Sequence, residues 1–352
     1  MSDERSDKAA KVIRVTKSRR SEGRVKRDIP ISQLMPGDIL LYRSAGWISN
    51  AIRLIDRSAV SHAGLFLGRC GGKGRVVGEA IREGLIRREL AKSVEHAEGV
   101  ESRRLKKLPV SLDPVLQRAE YYLESGERYA YEQILLLAFL CITRELAGSS
   151  VLGRLVRETL DAAAAYLLRL FDAGRQPMIC SEFVFRCYGE ALPDSIDVLA
   201  RAPEVLRIGE RVVPTGKNGG IHRGSALWQL VEVQGGHLFE GSVDLTEAPR
   251  AAGPVDVLRV EQMIEAYFQD LQKQTPKAAR IELASPDLLP SFERFAASLH
   301  RTRYRQEKWE LSRAALLGGL FDVAADFVTP GDLHRSKSLA FIGKLDKKGL
   351  GT

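Results

Sequence analysis

One stretch constrains this chain more than any other. Residues 178–184 form an apolar run that ends at Cys180 and leads directly into helix-forming residues. The apolar positions that follow are Phe183, Val184, Cys187 and Tyr188. Their spacing is that of one helical face, so the pattern predicts a helix buried on that side. Cys180 would lie in its first turn, where unpaired N–H groups and the helix dipole favour a thiolate. The alternative interpretation is that Cys180 is a small buried hydrophobe.

The composition is that of a folded protein with a basic surface. The 352 residues allow two domains or one decorated domain, and 44% hydrophobic residues allow a sizeable core. The net charge of +8 permits contact with nucleic acid, anionic lipid or acidic substrates without selecting among them. The cysteines are Cys70, Cys141, Cys180 and Cys187. They form neither a CxxC pair nor a zinc-binding spacing, so we expect reduced thiols, no metal and no cofactor.

The N-terminal segment, residues 1–28, is rich in Lys, Arg and Ser. This composition predicts a basic disordered arm, and the functional alternative is an arm that contacts nucleic acid or another anionic surface. The first residues carry no apolar signal segment, and the longest apolar run, 134–142, is too short to cross a bilayer. We therefore expect a cytoplasmic protein without a transmembrane segment, which argues against a cell-wall substrate.

The rest of the chain begins with strands and continues mainly with helices. Strands are predicted at 39–42, 61–68, 75–81, 85–90 and 98–110, and a helix at 47–55. Helices are predicted at 113–125, 131–146 and 151–171. Beyond 195 the pattern predicts strand-like pieces at 205–213, 229–233 and 254–259, helices at 259–273, 288–301 and 305–327, and a turn at 329–333. The fold class is therefore α+β, with an antiparallel sheet that is open or curled into a half-barrel.

The hairpin at 61–81 carries a histidine and a carboxylate on facing strands. His62 lies on the first strand and Glu79 on the second. With a turn centred near residue 71 or 72, Glu79 is the diagonal neighbour of His62 on one face of the sheet. The carboxylate could then fix the imidazole tautomer and raise its basicity. We expect the helix that begins at Cys180 to pack across this face and to bring its sulfur to the other ring nitrogen, which is the arrangement that a cysteine nucleophile needs.

Four segments carry a resemblance to a known family. They are residues 36–40, 61–68, 78–80 and 179–184, in this order. They resemble the permuted papain-like hydrolases, the circularly permuted branch of the NlpC/P60 superfamily that includes the YiiX/YebB-like and lecithin-retinol-acyltransferase-like groups. In that branch the histidine strand precedes the cysteine helix. The resemblance implies Cys180 as nucleophile, His62 as base and Glu79 as orienting residue.

The resemblance covers roughly residues 30–190 and suggests a domain organisation. We expect the basic arm at 1–28 and a permuted papain-like catalytic domain at 29–195, with a helical insertion at 131–172. The remainder, 196–352, is predicted to be a C-terminal extension that is mostly helical and packs on the catalytic domain. No function can be carried over to that extension.

Other residues are candidates for the same site. The Tyr42 hydroxyl and the backbone N–H of Cys180 could bind an oxyanion, although Tyr42 also fits an interfacial aromatic. The alternatives to Glu79 are Glu83, Glu95 and His96. A pairing in papain order would join Cys180 to His222 or His237. The Gly-rich turn at 71–74 lacks the spacing of a phosphate-binding loop and is predicted to be a hairpin turn. Cys70 and Cys187 are interpreted as a bystander and a core residue.

These observations predict a cysteine hydrolase that cleaves an amide or ester bond through a thioester acyl-enzyme. The expected substrate is an intracellular peptide, isopeptide or acyl-lipid. The apolar segment 131–146 is a core helix or the wall of an acyl-chain pocket, and in the latter case an acyltransferase acting on lipids is the alternative. A non-catalytic module that holds nucleic acid or a partner through the basic arm is the alternative from another class. The oligomeric state stays open.

Overall fold

The structure is a computed structural model. It describes residues 28–69, 74–81, 83–124, 128–130, 133–146, 151–198, 205–208, 211–214, 221–222, 224–234, 240–250, 257–273, 288–305, 310–325 and 327–346. Almost all of the predicted basic arm lies outside the described residues. Cys70, residues 71–73 of the Gly-rich turn and His237 lie outside them as well.

Strands and helices are numbered in chain order. The strands are β1 (Asp28–Ile29), β2 (Ile39–Ser44), β3 (His62–Arg69), β4 (Arg75–Ile81), β5 (Gly84–Glu89), β6 (Ala97–Leu105), β7 (Arg128–Ala130), β8 (Gln176–Met178), β9 (Val205–Ile208), β10 (Arg211–Pro214), β11 (Ser242–Asp244), β12 (Glu310–Ser312) and β13 (Leu339–Leu345). The helices are α1 (Trp47–Ile55), α2 (Leu90–Val94), α3 (Asp113–Glu124), α4 (Gln133–Thr143), α5 (Leu152–Asp172), α6 (Cys180–Ala191), α7 (Ala226–Gln234), α8 (Glu247–Arg250), α9 (Val257–Lys273), α10 (Leu289–Tyr304), α11 (Arg313–Ala325) and α12 (Pro330–Arg335).

The main sheet has the strand order β1-β13-β6-β2-β3-β4-β5. All neighbouring strands in it are antiparallel except β1 and β13, which are parallel. The chain is therefore α+β with a mostly antiparallel sheet, as predicted. Strand β13, near the C-terminal end, pairs with β6 in the middle of the sheet. The predicted C-terminal extension thus supplies one strand of the same sheet as the histidine strand.

The segment 329–333 is a helix start rather than the predicted turn. The Thr329 hydroxyl accepts a hydrogen bond from the Asp332 N–H, and the Asp332 carboxylate accepts one from the Thr329 N–H. This reciprocal cap begins helix α12, with Pro330 in the first turn. The prediction was wrong because it gave weight to the Pro-Gly pair and did not consider the cap.

A tight turn leads into strand β2. The Asp38 N–H donates to the carbonyl of Met35 at 2.9 Å, and Gly37 between them has a φ of 91°. A left-handed residue after proline is typical of a type II turn, which favours glycine there. The Asp38 carboxylate binds the Arg104 guanidinium at 2.6 and 2.7 Å. Gly37 and Asp38 therefore have a structural role, in the turn and in its attachment to β6.

The two faces of the sheet bury two different cores. One face packs against α3 and α6, and its core includes Ile39, Leu41, Ala63 and Leu65. The other face buries Leu40, Tyr42, Phe66 and Val77 together with residues of α2. Alternation along each strand sends neighbouring residues to opposite faces. Which core a residue of β2, β3 or β4 joins is therefore determined by whether its position is odd or even within the strand.

A third core is formed by helices. Residues of α1, α4, α5, α7, α9, α10 and α11 share it, and positions 134–143 of α4 are all buried. Phe139 of α4 stacks on Phe327 with ring centroids 4.5 Å apart and meets Phe295 of α10 edge-on. Helix α4 is therefore a core helix.

Two predicted strands are helices in the structure. Residues 229–233 lie in α7, where Leu227, Leu230 and Val231 are buried at helical spacing. Of the predicted strand at 254–259, residues 257–259 are described and begin α9, which buries Val260, Ile264 and Tyr267. Both segments contain β-branched residues that favour strands locally, but burial of one helical face in the third core outweighs that preference.

Candidate active site

The hairpin of β3 and β4 brings a histidine to a carboxylate. Gly64 pairs with Glu79, so that His62, two residues earlier, is the diagonal neighbour of Glu79. His62 Nε2 lies 3.1 Å from Glu79 Oε2. The Glu79 side chain is 2% exposed and that of His62 is 13% exposed. The predicted juxtaposition of these two side chains is therefore present, and Nδ1 is the ring nitrogen left to face another group.

Helix α6 lies on the other face of the sheet. A Cβ built on Gly78 would come within 3.1 Å of the Phe183 ring of α6, whereas one built on Gly64 would meet Glu79 and Tyr42. The prediction that α6 packs across the face that carries His62 and Glu79 is wrong. Because His62 is the first residue of β3, its ring lies at the end of the strand, where α6 also begins.

Cys180 is the first residue of α6 and is 7% exposed. The backbone N–H groups of Ala63 and Ser181 are near enough to its sulfur to lower the pKa of the thiol. The Ser181 hydroxyl donates to the carbonyl of Val328 at 2.7 Å, which ties the start of α6 to the segment before α12. The sulfur is thus fixed next to the strand that carries the histidine.

The thiol and the imidazole stabilise each other's charged form. Burial raises the pKa of Cys180, but the charge and hydrogen bond of His62, together with the two backbone N–H groups, bring it below its ordinary value. Burial lowers the pKa of His62, but the Cys180 thiolate and the Glu79 carboxylate outweigh it and raise the pKa to about 10. Both shifts favour a thiolate–imidazolium pair at neutral pH.

The Glu79 carboxylate is held in its charged form. Burial raises its pKa, but the hydrogen bond and charge of His62, the nearby Ser93 hydroxyl and the charge of Arg88 outweigh this, so the pKa lies below its ordinary value. A buried carboxylate that stays ionised can fix the Nε2–H tautomer of His62.

The pKa values of the other described cysteines are raised rather than lowered. Burial raises the pKa of Cys141 to about 12 and also raises that of Cys187. Cys141 lies in α4 within the helical core, and Cys187 lies on the buried face of α6. Among the described thiols, Cys180 is the one whose surroundings favour the thiolate.

Tyr42 lies beside the histidine but directs its hydroxyl elsewhere. Its ring centroid is 5.2 Å from that of His62, and its hydroxyl shares a hydrogen bond of 2.6 Å with that of Ser93. Burial and the Glu79 charge raise the pKa of Tyr42, against smaller effects of Ser93 and Arg88. The oxyanion role of Tyr42 stays a prediction.

The remaining candidates that the structure describes have other surroundings. The side chains of Glu83, Glu95 and His96 are exposed. The His222 N–H donates to the carbonyl of Thr143 at the end of α4, so its backbone is tied to the helical part. Within the described ranges no group of three or more His, Cys, Asp or Glu side chains has an arrangement that could hold a metal ion.

Sequence reasoning missed Ser93. This serine lies on the short helix α2, fifty-one residues from Tyr42, and is buried. No spacing in the sequence connects it to His62 or Glu79. A serine near the apolar Leu90 and Val94 is a weak signal of a buried hydroxyl. Only the packing of α2 on β4, β5 and β6 brings that hydroxyl to Tyr42.

A search of known proteins finds distant similarity. No protein-family model matches the chain. The chain is 27% identical to the probable lipoprotein peptidase YaeF of Escherichia coli strain K12 over 168 residues, which are 47% of this chain and 59% of YaeF. It therefore spans less than two thirds of that relative. YaeF is thus a distant relative that is named as a peptidase.

Among solved structures, the chain has a TM-score of 0.30 and 22% identity to the crystal structure of the metalloprotein YiiX from Escherichia coli O157:H7. The match covers 57% of this chain and 82% of YiiX. In the parts of the chain that the structure describes, no helix combines the length and apolar character that crossing a membrane requires. The cytoplasmic location stays a prediction, since YaeF is named as a lipoprotein.

Proposed function

We propose that this protein is a cysteine hydrolase of permuted papain-like fold that cleaves an amide or ester bond. Cys180 is the nucleophile, His62 the base and Glu79 the orienting residue. The observation that carries the proposal is the position of His62. His62 Nε2 is 3.1 Å from the buried Glu79 carboxylate. The charge and hydrogen bonding of His62 also lower the pKa of Cys180, which lies at a helix N-terminus.

In the acylation step the Cys180 thiolate attacks the substrate carbonyl carbon, and the carbonyl electrons move to the oxygen. The backbone N–H of Cys180, in the first turn of α6, is a donor available to that oxyanion. As the tetrahedral intermediate collapses, the bond to the leaving nitrogen or oxygen breaks. The His62 imidazolium gives its proton to the leaving group, and a thioester on Cys180 remains.

In the deacylation step neutral His62 takes a proton from water while the water oxygen attacks the thioester carbon. Collapse of this second intermediate releases the carboxylic acid and returns the thiolate and the imidazolium. Throughout, Glu79 accepts the Nε2–H hydrogen bond, which keeps Nδ1 towards the sulfur and stabilises the positive ring. Water is the acceptor in a hydrolase, and another nucleophile in its place would make the enzyme an acyltransferase.

A peptide amide is the substrate class that we favour. The distant relative YaeF is named as a peptidase, which supports amide over ester cleavage. Helix α4 is fully packed in the helical core, so its contacts give no support to an acyl-chain pocket along it. The catalytic domain in this proposal comprises residues 29–195, together with strand β13 from the C-terminal end.

The proposal is tested with the purified protein on fluorogenic peptide amides and acyl esters. Cys180→Ala and His62→Ala are expected to abolish turnover, and Cys141→Ala, which removes a cysteine of the helical core, is the matched control. Iodoacetamide at pH 5.5–6 is expected to modify Cys180 selectively, and this selectivity is lost in His62→Ala. A Cys180 thiol that reacts only above about pH 8.5, the ordinary range of a free cysteine, would refute the mechanism.

A further inference from the structure

The two oxygens of the Glu79 carboxylate have different surroundings. Oε2 faces His62, but Oε1 is buried and has no partner in normal hydrogen-bond geometry among the described residues. A buried, charged oxygen without a hydrogen bond destabilises the folded state, and a nearby hydroxyl normally donates to it. The nearby hydroxyl that lowers the pKa of Glu79 is that of Ser93, which is also buried.

The Ser93 hydroxyl has a second neighbour that constrains its proton. Tyr42 Oη and Ser93 Oγ are 2.6 Å apart, and either atom can be the donor. If Tyr42 donates, the Ser93 proton is free to point at a different acceptor. The buried carboxylate of Glu79 is such an acceptor, and it gains more from a donor than a neutral hydroxyl does.

Gly64 makes room for this group of side chains. A Cβ at this position would lie 3.2 Å from Glu79 Cγ and 3.3 Å from Tyr42 Oη. The Tyr42 hydroxyl and the Glu79 side chain therefore converge on the same space above the backbone of β3. Every member of the group comes from a different element: β2, β3, β4 and α2.

We propose that Ser93 is a positioning residue that accepts a hydrogen bond from the Tyr42 hydroxyl and donates one to Glu79 Oε1. This inference rests on the proposed hydrolase function and extends it. With both oxygens held, the carboxylate cannot rotate about its terminal bond, and the direction of the His62 ring is fixed with it. The charged groups that act on Glu79 are His62, with the thiolate beyond it, and Arg88 of β5.

The test measures the pH dependence of iodoacetamide labelling at Cys180, read by mass spectrometry, together with kcat/KM. Ser93→Ala is expected to raise the apparent pKa of labelling by about one unit and to lower kcat/KM about tenfold near pH 6, since the imidazolium loses an anchored counter-charge. Ser93→Thr, which keeps the hydroxyl, is expected to restore both values. Ser102→Ala is the matched control, because Ser102 is a buried serine of β6 in the same sheet.

Tyr42→Phe provides a second variant that does not depend on Ser93→Ala folding. It is expected to raise the labelling pKa in the same direction by a smaller amount, and the double variant with Ser93→Ala is expected to match Ser93→Ala alone. Unchanged labelling in Ser93→Ala, while wild type reacts at acidic pH, would overturn this inference and leave the hydrolase standing. Wild type without acid-range reactivity would overturn both. A Tyr42→Phe variant that lowers kcat without moving the labelling pKa would assign Tyr42 to the oxyanion instead.

Discussion

Replacing Gly64 with alanine tests the geometry of the site with a single added methyl group. The new Cβ would lie 2.9 Å from Val77 Cγ1, 3.2 Å from Glu79 Cγ and 3.3 Å from Tyr42 Oη. The first of these distances is shorter than carbon atoms tolerate, so a side chain or the strand must move. The buried neighbours leave little freedom for that movement, and Glu79 is one of the groups that would be displaced.

Two magnitudes follow from this crowding. Overpacking of a core by one methyl group lowers the free energy of unfolding by about 1–3 kcal/mol, which is about 1.5–4 °C in melting temperature for a cooperatively unfolding chain of 352 residues. Loss of a hydrogen bond to a charged group costs about 1.5–3 kcal/mol. If Glu79 leaves His62, kcat/KM is therefore expected to fall roughly 10- to 100-fold.

The assay combines thermal unfolding with kcat/KM on the best peptide amide. Gly99→Ala is the matched control, because Gly99 lies in β6 of the same sheet and a Cβ there would meet nothing within 4 Å. That variant is expected to stay within about 0.5 kcal/mol of wild type with unchanged turnover. Gly64→Ala that behaves like Gly99→Ala in both measurements would refute the close approach of Glu79 and Tyr42 over β3.

Three further results are expected. The rate kcat/KM needs the thiolate of Cys180 and the imidazolium of His62. On the acid side kcat/KM should therefore fall as the pH drops below the Cys180 pKa, which is lower than its ordinary value. On the alkaline side it should fall near the His62 pKa of about 10. A pH-independent kcat/KM would contradict the ion pair. Cys141, with a pKa of about 12, should resist iodoacetamide in the folded protein and react only on unfolding, as peptide mapping with and without denaturant can check. Gly78→Ala presses on the Phe183 ring of α6, so it should lower the melting temperature by a few degrees while the alkaline limb of the pH profile, which belongs to His62, stays in place.

The local features of the site were predictable because short-range rules determine them. Two antiparallel strands joined by a short segment have their register set by the length of that segment, and this was enough to place Glu79 diagonally from His62. The start of α6 at Cys180 follows from the apolar spacing after it. The buried character of α4 follows from a run of apolar residues on all sides of the helix.

What failed in the sequence reasoning depends on contacts between distant parts of the chain. Helix α6 covers the sheet face on which Gly78 leaves room for Phe183, and no local rule states which face a later helix will cover. Segments such as 229–233 change from strand to helix because the helical core buries one side of them. The addition of β13 to the middle of the sheet joins residues more than two hundred positions apart.

The amino-acid sequence by itself therefore determined the separate pieces of the candidate site: a hairpin with a histidine and a carboxylate, and a cysteine at the start of a helix. Only the tertiary structure decided that the charge of His62 acts on Cys180 where β3 begins, and that Tyr42, which shares a hydrogen bond with the buried Ser93, lies near Glu79 over Gly64. The physical reason is that backbone geometry acts over a few residues, whereas the burial of a charge depends on every element that closes around it.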